Sequence, residues 1–145
     1  MKSNLTARLL TGLLGLTFLA MCSSASGADS ETSRVGCDVH KGPCSATLSG
    51  AEVILEINPK PVRAMQDLTF IVTLTEGTAA TSLILDLGMP GMKMGRNRVI
   101  LKPAGKSVFS GNGVIVRCPS GRRTWKASLL VPEKGTVEFI FDVIY

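Results

Sequence analysis

Histidine is almost missing from this chain: its 145 residues hold one, His40. A Ser-His-Asp triad or a three-histidine zinc centre therefore has too few imidazoles to assemble. No Cys-x-x-Cys pair occurs, which removes the usual frame of a thiol-disulfide oxidoreductase. Glycine-rich phosphate cradles are also lacking, since Gly111-Asn112-Gly113 has strand-like sequence on both sides and no helix behind it. Acidic residues are scattered singly along alternating segments, so no paired carboxylates for hydrolysis stand out. Together these absences argue for a chain that is not an enzyme. Charged residues are scarce at 19% while apolar ones reach 45%, which excludes a disordered chain. No internal repeat is evident, and 145 residues suit one domain.

Part of that apolar share lies at the start. Lys2 and Arg8 precede a Leu-rich, uncharged run over 9–21, too short to span a membrane and of the length expected for a secretory leader. Small residues follow, and cleavage after Ala28 is the preferred reading, giving a signal peptide at 1–28 and a mature chain from Asp29. A competing reading takes Leu19-Ala20-Met21-Cys22 as a lipoprotein box with Cys22 lipidated. Met21 is bulky where a small residue is wanted, which ranks anchoring second. The expected location is thus periplasmic or otherwise extracytoplasmic. Without the leader, 14 basic residues face 11 acidic ones, a balance of +3. That suits a soluble monomer with an anionic partner and falls short of a nucleic-acid-binding stripe.

Export also permits disulfides. In Cys37-Asp38-Val39-His40-Lys41-Gly42-Pro43-Cys44, the Gly-Pro turn can bring the two cysteines together, which would leave Cys118 free. Pairing of Cys118 with either of the others stays open at this level.

From there the apolar residues recur with period two. Ala51, Val53, Leu55 and Ile57 form one such row, and Leu68, Phe70, Val72 and Leu74 another. Trp125, Ala127, Leu129 and Val131 make a third, separated by a turn from Val137, Phe139, Phe141 and Val143. Shorter strands are expected at 82–87, 98–102, 107–110 and 114–118, with Pro103-Ala104-Gly105 and Gly111-Asn112-Gly113 as the turns between them. About seven to eight short strands predict an antiparallel, all-β sandwich of immunoglobulin-like or cupredoxin-like type over 46–145, with 29–45 as a mobile N-terminal segment.

Three of the six methionines fall within six positions, in Met89-Pro90-Gly91-Met92-Lys93-Met94-Gly95. Thioethers are soft, neutral donors that select copper(I), and a Pro-Gly turn can aim several at one centre. His40 and Cys118 are the imidazole and thiolate that the fold could add. The same methionines could equally plug the end of a sandwich. A second cluster, Arg117-Cys118-Pro119-Ser120-Gly121-Arg122-Arg123, surrounds one thiol with three guanidiniums, which favours the thiolate or an anion.

Over 53–143 the chain resembles the YtkA-like domain proteins, relatives of the FixH-like and copper-resistance CopC-like envelope domains. The resemblance rests on the Met89–Gly95 loop, the short strand at Val99–Leu101, the segment Val108-Phe109-Ser110-Gly111 and the Gly121-x-x-x-Trp125 strand. It implies a small exported sandwich, with Met89, Met92 and Met94 matching a Met-rich loop used in copper handling and with a metal acceptor or other envelope protein as partner. The cysteines flanking His40 and the Arg117–Arg123 segment have no counterpart in that pattern. Histidines that often accompany such methionines are missing beside this loop, which weakens the copper inference and argues most against tight copper(II) binding of the CopC kind. The alternative reading is a structural or protein-interaction sandwich without metal.

Overall fold

The computed structural model describes residues 36–145. The expected leader, its cleavage site, Cys22 and the stretch 29–35 lie outside the described residues. The eight strands are β1 (Cys44–Leu48), β2 (Ala51–Asn58), β3 (Asp67–Leu74), β4 (Leu83–Gly88), β5 (Arg98–Gly105), β6 (Val108–Val114), β7 (Thr124–Val131) and β8 (Gly135–Asp142). Every pairing among them is antiparallel, in the order β1-β2-β3-β6-β5-β4-β7-β8. The all-β reading therefore holds.

Two layers arise because β5 serves both. Its first half, Arg98 to Leu101, pairs with β4, and its second half, from Lys102, pairs with β6 through a ladder whose register shifts between Pro103 and Gly105. The period-two rows face inward: Val53, Leu55 and Ile57 of β2, Phe70 and Val72 of β3, Leu85 and Leu87 of β4, and Trp125, Ala127 and Leu129 of β7 are all buried in one core. Each of the Val, Leu, Ile and Phe side chains among these contributes roughly 1.5–3 kcal/mol by leaving water. A one-residue slip in any of these strands would turn its row outward, which fixes the register.

Three expectations fail around β6. Gly111-Asn112-Gly113 is not a turn but the end of β6, paired with Leu68, Thr69 and Phe70 of β3. A Cβ on Gly111 would lie 2.4 Å from the Ile100 carbonyl oxygen, and one on Gly113 would lie 2.5 Å from Val99 Cγ2. These glycines permit close strand approach, the other use of a residue without a side chain. Correspondingly, 115–118 pairs with no strand, and the turn assigned to Pro103-Ala104-Gly105 falls at Lys106-Ser107, where Ser107 has φ 61°. The row from Ala51 is β2, and a strand not expected from sequence, β1, precedes it. Residues 36–45, set apart as an N-terminal segment, deliver Val39 and Cys44 to the core and open β1.

Alternating strand directions bring one set of connections to a single end of the sandwich. That rim collects the segment 36–43, the loops 59–66, 89–97 and 115–123, and residues 143–145. The far rim holds the tight connection at 49–50, the loop 75–82, and the turns at 106–107 and 132–134.

Candidate functional site

Among the described residues, the candidate ligands Met89, Met92, Met94, His40 and Cys118 fall on the first rim, where β1 begins, β4 ends, β5 begins, β6 ends and β7 begins. The Met-rich loop leaves β4 through Met89-Pro90-Gly91-Met92. Here the Met92 N–H donates to the Met89 carbonyl at 3.2 Å, with Pro90 second and Gly91 third at φ 68°. That is the residue order of a type II turn, in which the third position needs a positive φ. Met89 and Met92 form an antiparallel bridge across it. Directly opposed residues have Cβ atoms about 5 Å apart, which places the two methionines across the turn from each other.

An open depression of about 810 Å³ lies against this turn, lined by Met89, Met92 and Met94 together with Asp86, Lys93 and Arg96. The three methionines differ in burial. Met89 is 3% exposed and belongs to the core, Met94 is half-buried against it, and Met92 is exposed. Asp86 is the nearest acid, and Arg98 Nε binds its carboxylate at 3.0 Å. The depression therefore offers sulfur and cations with one neutralised carboxylate.

His40 and Cys118 reach the same rim but do not line that depression. His40 Nδ1 accepts the Val62 N–H at 3.0 Å, which leaves only Nε2 for another partner. It borders a smaller hollow of about 450 Å³ with Asp38 and Asp142. Cys118 is buried, and its Sγ lies 3.0 Å from the Ser120 hydroxyl. That hydroxyl, the Ser120 backbone N–H, and then the Arg122 backbone N–H and charge hold the thiol below the usual cysteine range, against the opposing effect of burial. Cys37 and Cys44 form a disulfide with Cα atoms 5.7 Å apart, and Cys118 is free. The local pairing expected from sequence is thus present.

The loops of the rim are tied together by hydrogen bonds. Arg122 Nη2 donates to the Pro90 carbonyl at 2.9 Å, Asn97 Nδ2 to the Val114 carbonyl at 3.0 Å, and the Met65 N–H to the Ile115 carbonyl at 2.8 Å. Tyr145 is the hub behind them. Its hydroxyl accepts from the Cys118 N–H at 3.1 Å and from Trp125 Nε1 at 3.2 Å, and donates to the Arg122 carbonyl. The Arg117 guanidinium stands 5.6 Å from the Tyr145 ring centroid.

Sequence reasoning missed Met65 and Arg63. Met65 is 69% exposed and left-handed at φ 60°, a conformation unusual outside glycine. Neither lies in any cluster along the chain, and only the strand order carries loop 59–66 to the others.

Among the described residues no group of three or more His, Cys, Asp or Glu side chains is placed to hold a metal ion. Compared with protein-family models, with curated proteins and with solved structures, the chain matches none. The class defined by fold and site is an all-β sandwich with one loop-rich, sulfur-bearing rim.

Proposed function

We propose that this chain is an exported, non-catalytic binding module of the cell envelope that holds copper(I) through Met89, Met92 and Met94 and hands it to an acceptor. The observation that carries this reading is the turn at Met89-Pro90-Gly91-Met92, which sets two methionines opposite each other at a depression that Met94 also lines. Thioethers bind without losing a proton and favour soft, monovalent metal. The donor set around the depression fits no harder ion, since its one carboxylate is already engaged by Arg98. Lys93 and Arg96 on the lining oppose a bound cation, which favours weak, exchangeable binding suited to transfer. The Cys37–Cys44 disulfide supports an oxidising compartment, in keeping with the leader and with the resemblance to YtkA-like envelope domains.

Anaerobic copper(I) titration against a competing chromophoric chelator tests this. The Met89→Leu/Met92→Leu/Met94→Leu variant keeps side-chain volume, and its affinity is expected to fall by at least about tenfold. Equal affinity in the two proteins removes the loop from the reading.

A second reading is favoured by one observation, the near-complete burial of Met89 in the core. Here the methionines are packing groups and the domain serves structure or protein interaction without metal. It requires that wild type and variant both fail to hold copper(I) against the chelator.

A further inference from the structure

We propose that the rim formed by loops 59–66, 89–97 and 115–123 is a docking surface for an acidic protein partner. The inference does not rest on the metal reading, and it commits to the partner's chemistry where a plain interaction domain would leave it open.

The charge distribution carries it. These three loops contain Lys60, Arg63, Lys93, Arg96, Arg117, Arg122 and Arg123 and not one Asp or Glu. On the far rim, Glu76 and Glu133 balance Lys106 and Lys134. Of the seven rim cations, only Lys60 forms an ion pair among the described residues, with Glu56. In the segment 36–43 of this rim, Asp38 is paired with Lys41, so the modest positive balance is gathered at one end, where it would steer and orient an acidic surface.

Apolar anchors stand between the charges. Met65, Val116 and Met92 are exposed on these same loops. Arginine and methionine are both enriched at protein–protein interfaces, arginine because its planar fork meets a carboxylate with two parallel bonds. Five of the seven cations are arginines. A lipid surface calls for a different set, Lys or Arg beside Trp, Phe or Leu that enter the bilayer. No aromatic side chain is exposed on this rim: Trp125 is fully buried and Tyr145 is half-buried beneath Arg117. The hydrogen bonds that stitch the three loops also hold the surface in shape before the partner arrives, which lowers the ordering cost of docking.

The probe is a fluorescently labelled peptide of Glu, Asp and Leu residues, followed by anisotropy, with phosphatidylglycerol vesicles as a parallel arm. Two double reversals change net charge equally: Arg63→Glu/Arg123→Glu on the rim, and Lys102→Glu/Lys106→Glu toward the far end. The rim pair is expected to weaken peptide binding by about tenfold or more at low salt and the far pair by less than about twofold. Circular dichroism checks that each is folded, and Arg63→Gln/Arg123→Gln, a milder change, is expected to lie between wild type and the rim reversal. Equal loss from both reversals would mean that overall charge acts, and would overturn the proposal. So would absence of peptide binding by wild type, or vesicle binding that depends on Arg63 and Arg123 while the peptide does not bind.

Discussion

Cys118 is held in place by its neighbours: its N–H goes to the Tyr145 hydroxyl, its carbonyl accepts the Gly121 N–H at 3.0 Å, and its sulfur meets Ser120. The Ser120 hydroxyl favours the thiolate more than any other neighbour does, with the Ser120 backbone N–H next. Such a depressed group adds stability to the fold above its unfolded pKa, and that stability is lost as pH falls through the lower, folded value. Ser120→Ala removes the largest contribution, so the thiolate should then form only at higher pH. Iodoacetamide labelling of the native protein across a pH series is expected to show a midpoint below that of an ordinary cysteine, moved upward in Ser120→Ala. At neutral pH the variant should label more slowly by about twofold or more. Burial slows both proteins alike, so the midpoint is the deciding quantity. The same midpoint in both would assign the depression to something other than Ser120.

Strand β6 depends on two glycines whose absent side chains let β5 and β3 close around it. The obstacle at Gly111 is backbone, the Ile100 carbonyl, whereas at Gly113 it is the side chain of Val99. Gly111→Ala should therefore destabilise the protein by about 3 kcal/mol and Gly113→Ala by about 1–2 kcal/mol, measured by urea unfolding. Val99→Ala should recover part of the loss in Gly113→Ala and none in Gly111→Ala; recovery of both would refute this account. The same glycines mark where sequence reading stops. Rows such as Leu68, Phe70, Val72 and Leu74 announce their strand because one face is buried and the other wet. A glycine that ends a strand and one that admits a neighbouring strand look alike along a chain. β1 was illegible for another reason: Cys-Ser-Ala-Thr-Leu is five residues long, and the small Cys44 and Ala46 beside Leu48 on its inner face give little apolar contrast. The Met-rich loop was legible because its residues are consecutive. The cationic rim was not, since Arg63, Arg96 and Arg117 become neighbours only through strand order.

At the scale of the molecule, the segment 36–43 straddles both layers. The Gly36 N–H donates to the Ile140 carbonyl of β8 at 2.9 Å, His40 takes the Val62 N–H beyond β2, and Val39 sits in the core between. The Cys37–Cys44 bond fastens this segment to the first residue of β1, the strand that approaches β8 without pairing to it. Closing a loop with a sequence separation of 7 restricts the unfolded chain modestly, and the chain-entropy relation gives about 2–3 kcal/mol of stabilisation. Reduction is a cleaner probe than substitution, because Cys44 is buried and its replacement would add a cavity. Urea unfolding with and without dithiothreitol should therefore differ by about that amount, with a Cys118→Ser variant showing the same difference since its thiol takes no part. A two-state transition retained after reduction would show that the packed segment still joins the layers. No change in midpoint on confirmed reduction would overturn the chain-entropy account of this crosslink.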